Sequence, residues 1–315
     1  MSEKVFKTHD ELIQLLEDRG IDFSRRNSKS DAKKHLQRTG YYNLINGYKD
    51  MFLKPGSKDA YISGTTVEEI FALYEFDRKL RGIFLEFILT IEANVKSLIA
   101  YEFSQAHGHK NYLLTSNFND SNKNTVKQVI ALIAELHRQT ANNSNDPAIE
   151  HYLSVHGYIP LWVLNNVLTF GSISKFYSLM KQPERQRIAK IFGVNDKEFE
   201  SFLFYLSKVR NFCAHGNRLY CYRSRNPIAD TPIHASLGIP MTPKHEYSYG
   251  KRDLFACLIV LKMMMSNRDF KQLCNLIDQE ITELDSKLNV LSIDDVLTVM
   301  GFPKDWKKIK KAKKK

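Results

Sequence analysis

The chain has 315 residues, 43% hydrophobic and 26% charged, a soluble balance with length for one large domain or two modest ones. No apolar run follows a basic start, and the greasiest segment, Leu254 to Met265, is short and interrupted by Lys262, so a cytoplasmic protein without a leader or membrane contact is expected. The net charge of +11 points to a polyanionic partner, but eight lysines and one aspartate between Lys304 and Lys315 supply +7 of it, leaving +4 for the rest.

Strand signals are scarce and helical periodicity is common, which predicts an all-α fold. Thr8-His9-Asp10-Glu11 has the form of a capping box, opening a helix to about Arg19 with Gly20 as its stop. Ser28 or Ser30 caps a second helix, through Asp31 to Arg38. In the stretch from Gly40 to Tyr48, G-Y-Y-N-L-I-N-G-Y, two glycines bracket an aromatic cluster, which suits a tight packing corner more than a base-stacking surface. A loop at 54–65, rich in Pro, Gly and Ser, divides an N-terminal helical region (1–60) from a larger helical domain (61–300). A lysine-rich tail (301–315) follows. Such a charge run is expected to be a solvated end, or an element that grips phosphates without reading sequence.

Thr66 to Glu69 forms a second capping box and opens the longest helical region, to about Gln105, with a break expected near its middle. Leu80, Ile83, Phe84, Phe87, Ile91, Val95 and Leu98 recur at spacings of three and four and make one core face. Asp77 with Arg81, and Glu92 with Lys96, are spaced as surface ion pairs. Two asparagine-rich loops flank a helix from Thr125 to about Arg138. Pro160 begins another helix, Gly171 to Ser174 turn into the next, and Gln182-Pro183 ends it. A short basic helix covers Arg185 to Ile191. Asn195 or Asp196 starts the helix that carries the motif below. Residues 221–250, with Pro227, Pro240 and Pro243, read as a long loop. Helices over Asp253–Met265 and Arg268–Leu284 follow, and Ser292 caps a short last one. Cys213, Cys221, Cys257 and Cys274 form no C-x-x-C pair, so neither a zinc site nor a disulfide framework is expected, and no cofactor.

The chemistry concentrates in K-V-R-N-F-C-A-H-G-N-R, Lys208 to Arg218. Phe199, Phe202, Leu203, Leu206, Val209 and Cys213 form the buried stripe of its helix, and Arg210 falls in the middle of it. An arginine there must snorkel, pair with a carboxylate, or serve a bound anion. His215 lies about 140° from Arg210 on an ideal helix. The two converge only if the helix unwinds near Gly216, or across two copies of the chain. Arginine offers a fork for phosphate oxygens, and histidine gives or takes a proton. With the RNA 2′-hydroxyl as nucleophile, such a pair is sufficient for transesterification without a metal.

Arg210-Asn211-x-x-x-His215 resembles the R-x4-6-H signature of HEPN domains, small all-α modules that include many metal-independent ribonucleases. The wider chain resembles the Abi-like (AbiD/AbiF) family of bacterial abortive-infection proteins. The pieces that carry the likeness are E-L-I-Q-L-L-E-D-R-G-I, T-G-Y-Y-N-L-I-N-G-Y, Y-E-F-D-R-K-L-R with I-E-A-N-V-K, I-P-L-W, F-G-S-I-S-K-F-Y, V-R-N-F-C-A-H-G-N-R-L-Y and M-G-F-P-K-D-W, in that order. The resemblance implies a HEPN-like bundle from helices near 66–105, 160–180, 196–215 and 250–285, with the N-terminal helices packed on it. It implies a homodimer with a composite site: His215 as acid/base group, Arg210 as phosphate ligand, Asn211 orienting them and Glu92 holding Arg210. Arg218, Lys96 and the tail lysines Lys307, Lys308, Lys310 and Lys311 are expected to contact RNA. The implied function is an endoribonuclease toxin in phage defence. The alternative is a non-catalytic protein of the same fold that binds a structured noncoding RNA.

Overall fold

The computed structural model describes residues 5–314. Side-chain caps set most helix starts. The Thr8 hydroxyl accepts from the Glu11 N–H and Glu11 returns the bond, opening α1 (His9–Asp18). Helix α2 (Ser28–Thr39) departs from expectation: Asn27, at φ 67°, precedes it without a side-chain cap. The Gly40–Tyr48 corner is itself helical, widened to a π turn over Tyr42–Asn46. Leu44, Ile45 and Tyr48 are buried there, whereas Tyr42 is 77% exposed.

Thr66 accepts from the Glu69 N–H and opens α3 (Val67–His107), about 60 Å long. The expected mid-helix break is absent. Gly82 stays helical on an open face, and the buried stripe of Leu80, Phe84, Phe87, Ile91 and Val95 continues past it. Nor does Glu69 complete a capping box. Its carboxylate accepts from the N–H groups of Asn289, Val290 and Leu291 at 2.8, 2.9 and 3.2 Å, tying the C-terminal region to the start of α3.

The middle of the chain forms α4 (Lys123–Asn142), α5 (Pro147–His156), α6 (Leu161–Leu164), α7 (Phe170–Leu179), α8 (Gln182–Ile191) and α9 (Asp196–Ala214). The second asparagine-rich loop is a short turn between α4 and α5, and α5 itself was not expected: Asp146 caps it and Pro147 pre-sets its first turn. Two expectations fail here. Gly171 lies inside α7, which Thr169 caps. Gln182-Pro183 opens α8 rather than closing α7, since proline is tolerated in a first helical turn. After a long irregular segment holding only α10 (Pro232–Ser236), the chain ends in α11 (Leu254–Met264), α12 (Asn267–Asp285) and α13 (Ile293–Met300).

Helix α3 packs against α2, α6, α8, α9 and α12, while α7 and α11 close over α9. Buried apolar residues from Ile13 to Ile309 form one cluster. Every residue of α11 is buried, including Lys262, whose ammonium donates to the Lys310 carbonyl and to Asn267 Oδ1, each at 3.2 Å. The lysine tail is therefore docked rather than a free end, although Lys304, Lys307, Lys308 and Lys311 stay exposed to solvent. Trp306 and Ile309 bury themselves in a 3-10 turn over Trp306–Lys311 that packs on α12, because two apolar side chains outweigh the entropy of a short docked turn. The fold is all-α: among the described residues the only β features are three isolated bridges. None of the described helices is long and apolar enough to cross a membrane.

The two α3 ion pairs expected at the surface, Asp77 with Arg81 and Glu92 with Lys96, are instead largely buried. The Asp77 side chain is fully buried and receives the Tyr48 hydroxyl at 2.7 Å, Arg81 Nη1 at 2.5 Å, and the N–H groups of Leu219 and Tyr220 at 3.3 and 2.7 Å. Arg81 also donates to the Asn217 carbonyl at 3.3 Å. Burial raises the Asp77 pKa above the ordinary carboxyl value, and the donors around it oppose that rise. Removing the acceptor leaves the Arg81 charge without its counterion and two backbone N–H groups unpaired. Asp77→Ala is therefore expected to lose about 3–5 kcal/mol of stability in urea unfolding. Exposed Asp10→Ala, on α1, is expected to change it by under about 1 kcal/mol.

Candidate functional site

The motif sits at the end of α9. A capping box between Asn195 and Glu198 starts this helix. Phe199, Phe202, Leu203, Leu206, Val209 and Cys213 are all buried along it. It does not unwind before the histidine. The His215 N–H donates to the Asn211 carbonyl at 3.0 Å, and His215 keeps a near-helical φ of −90° as the C-cap. Gly216, at φ 69°, then turns the chain. Its N–H reaches the Cys213 carbonyl at 3.2 Å, and the Asn217 N–H reaches Phe212 at 3.1 Å. These are the two bonds of a Schellman ending, which needs a left-handed residue at this position. His215 thus stays on the helical screw, about 140° from Arg210 and about 40° from Asn211.

Arg210 resolves its place on the apolar stripe by pairing. Its Nε lies 3.3 Å from Glu92 Oε2 on α3, and Lys96 Nζ lies 2.9 Å from Glu92 Oε1. The Glu92 side chain is only 6% exposed, that of Arg210 30%. One carboxylate between two cations leaves a net charge of +1. The two terminal nitrogens of Arg210 have no partner among the described residues and are not buried, so they can meet an anion in the fork geometry that suits phosphate. Asn165 steadies this cluster: its Nδ2 donates to the Lys96 carbonyl at 2.8 Å.

His215 faces elsewhere. With Asn211 it lines a cavity of about 510 Å³ whose other walls include Lys208, Phe212, Arg223 and Arg225. Phe212 meets Tyr222 edge-on at 4.9 Å, and Lys208 Nζ lies 5.2 Å from the Phe204 ring centre. Among the described residues, neither the His215 ring nor the Asn211 amide has a hydrogen-bond partner. Three cations around an exposed imidazole make the cavity suited to a phosphodiester. Arg210, Glu92 and Lys96 do not line it. Glu92 and Lys96 instead line a larger groove between α3 and α6.

The remaining candidate residues are dispersed. Arg218 donates to the Gly47 carbonyl at 2.7 Å, fastening the motif to the N-terminal corner. Lys307 and Lys308 pair with Asp278 and Asp305, each at 2.5 Å, and Lys310 donates to Asn275 Oδ1 at 2.9 Å. Lys311 is exposed. None of these tail lysines lines the His215 cavity or the α3–α6 groove. Lys208, Arg223 and Arg225 were missed from the sequence. Their signal was available: Lys208 stands seven residues, two turns, before His215, and R-S-R follows the motif closely.

Residues 34–221 match the family model described as Abi-like protein, more than half of the chain. The protein belongs to this family. The match begins in α2 and ends just past Tyr220, so it takes in Tyr48, Asp77, Glu92 and the whole motif. No curated protein and no solved structure matches the chain.

In this Abi-like protein Glu92 holds Arg210 and Lys96 together. Glu92→Gln keeps the shape and removes the charge, and both cations are partly exposed. The substitution is expected to lower stability by about 1–2 kcal/mol, read as an earlier urea midpoint with an unchanged slope.

Proposed function

We propose that this Abi-like protein is a metal-independent endoribonuclease with a HEPN-like fold, acting as an abortive-infection toxin in phage defence. On this reading residues 61–300 form the HEPN-like domain, residues 1–60 pack on it, and 301–315 close it. Two copies complete each site, with His215 of one copy meeting Arg210 of the other. The observation that carries the reading is the unbroken course of α9 through the motif. It turns Asn211 and His215 into one cavity while Arg210 is held against α3, which supports a site completed by a second copy.

The chemistry follows from the residues. His215 takes the proton of a ribose 2′-hydroxyl, whose oxygen attacks the adjacent phosphorus. Arg210 stabilises the charge that develops on the phosphoryl oxygens, with Lys208 and Arg223 beside the cavity. The P–O5′ bond breaks, and the leaving oxygen receives a proton from the imidazolium. The products are a 2′,3′-cyclic phosphate and a 5′-hydroxyl. Asn211, one turn before His215, orients the ring or the phosphate. One observation favours the second reading, an RNA-binding protein without cleavage: among the described residues no side chain fixes the His215 tautomer. Hydrogen bonds of this kind commonly form only in the substrate complex.

Incubation of total RNA in EDTA tests the proposal. Wild type is expected to cut, leaving cyclic-phosphate ends, and both His215→Ala and Arg210→Ala are expected to lose at least about a hundredfold in rate. Wild type that leaves RNA intact, or a His215→Ala variant that cuts as fast, sinks the nuclease reading. Mixing the two inactive variants tests the shared site. Random exchange makes half the dimers mixed, each with one intact site, so about a quarter of wild-type activity is expected to return.

A further inference from the structure

We propose that the groove between α3 and α6 is a nucleobase pocket, which takes one unstacked base of a single-stranded RNA next to the phosphate held by Arg210. The inference rests on the reading of Arg210 as a phosphate ligand and adds what that phosphate is attached to. The groove encloses about 850 Å³, within the usual range for small-ligand sites. Its floor on α3 is low, because Ala93, Ser97 and Ala100 follow one another along one face. Two aromatic side chains stand on its walls with open faces: Tyr101 is 63% exposed and Trp162 49%. The His109 ring lies 5.9 Å from Trp162 and 5.2 Å from Tyr158, and Lys110 Nζ sits 5.3 Å from the Tyr158 ring centre. Aromatic faces beside a cationic end are how proteins seat single-stranded nucleic acid, and Lys96 supplies that end of the groove.

A second, independent observation points to a ligand. Asn165 lines the groove and is 2% exposed. Its Nδ2 is committed to the Lys96 carbonyl, and its Oδ1 has no hydrogen-bond partner. The Ser104 hydroxyl, on the same groove, has none either. Buried polar atoms are normally paired. Because the Asn165 amide is anchored through its nitrogen, it offers only an acceptor, and every nucleobase carries an N–H that fits one. An apolar face of a second copy would leave these atoms unpaired. The cluster at the groove's end, Glu92 between Lys96 and Arg210, carries the residual positive charge that the phosphate next to the base requires.

Trp162 reports on its own site. The chain has two tryptophans, and the other, Trp306, is 2% exposed. His215→Ala protein would be titrated with short oligo(rA), oligo(rC) and oligo(rU), and with an RNA duplex, following tryptophan fluorescence. Single strands are expected to quench Trp162 and the duplex is not. Trp162→Ala and Tyr101→Ala are each expected to weaken single-strand binding roughly tenfold, while Trp162→Phe retains most of it. RNA binding without quenching, or with unchanged affinity in both alanine variants, overturns the pocket, as does an absence of RNA binding. A Trp162→Ala variant that becomes monomeric in sedimentation yet binds RNA as before shows that the groove holds a second copy, and the proposal falls. If wild type cuts no RNA but the quenching appears as expected, the nuclease reading falls and the pocket stands.

Discussion

The carboxylate of Asp77 holds three distant parts of the chain at one point. It accepts from Tyr48 in the N-terminal corner, from Arg81 one turn along its own helix, and from the backbone of Leu219 and Tyr220 just beyond the motif. A buried carboxylate is costly unless fully paired, and here the pairing draws the N-terminal corner and the segment after the motif onto α3, where Tyr48 also stacks on Tyr220. Fifteen residues along the same helix, Glu92 repeats the device with Lys96 and Arg210, about 22 Å away. The motif is thus pinned to α3 on both sides of His215, through Arg210 before it and through Leu219 and Tyr220 after it. Arg218 adds a third tie, to Gly47. His215 and Gly216 form the short exposed corner between these anchors, and neither flank can rotate without breaking a bond to a buried carboxylate.

This clamping separates two chemical environments. The cavity at His215 is cationic and partly aromatic, with an imidazole and an amide free to engage a ligand. The groove at Glu92 is aromatic and rich in amides, with its charge confined to one end. Helix geometry keeps the acid/base candidate in the first and the guanidinium beside the second. The division is a property of α9, whose hydrogen bonding continues through His215 and whose left-handed glycine comes only afterwards.

Much of the fold was legible in the sequence wherever a local signal set it. Thr8, Thr66, Asn195 and Ser292 announced their helices because a cap is a contact within four residues. The all-α class followed from periodicity. What could not be read was the long-range use of the same residues. Asp77 with Arg81 and Glu92 with Lys96 were visible as pairs, but their burial depends on chain more than a hundred residues away. Glu69 had the spacing of a capping box, yet its carboxylate serves Asn289 to Leu291. The tail looked like a charge run because eight lysines mask one tryptophan and one isoleucine, and those two decide its place. The motif's spacing and the glycine after it were plain. The cations around His215 come partly from the segment after the motif, which the sequence marks only as a proline-containing loop.

The helical continuity of α9 also bears on dose. A catalytic centre whose two halves cannot meet within one molecule works at a rate set by encounters between molecules. On the proposed reading, turnover below the dimer dissociation constant rises with the square of protein concentration, so a tenfold increase in copies gives about a hundredfold increase in cleavage. A cell could therefore tolerate a low standing level of such a protein with little RNA lost. A modest burst of synthesis, or the release of copies held apart, would carry it across a sharp threshold. No separate inhibitory element is needed for that behaviour, because it follows from nineteen residues of helix that do not break.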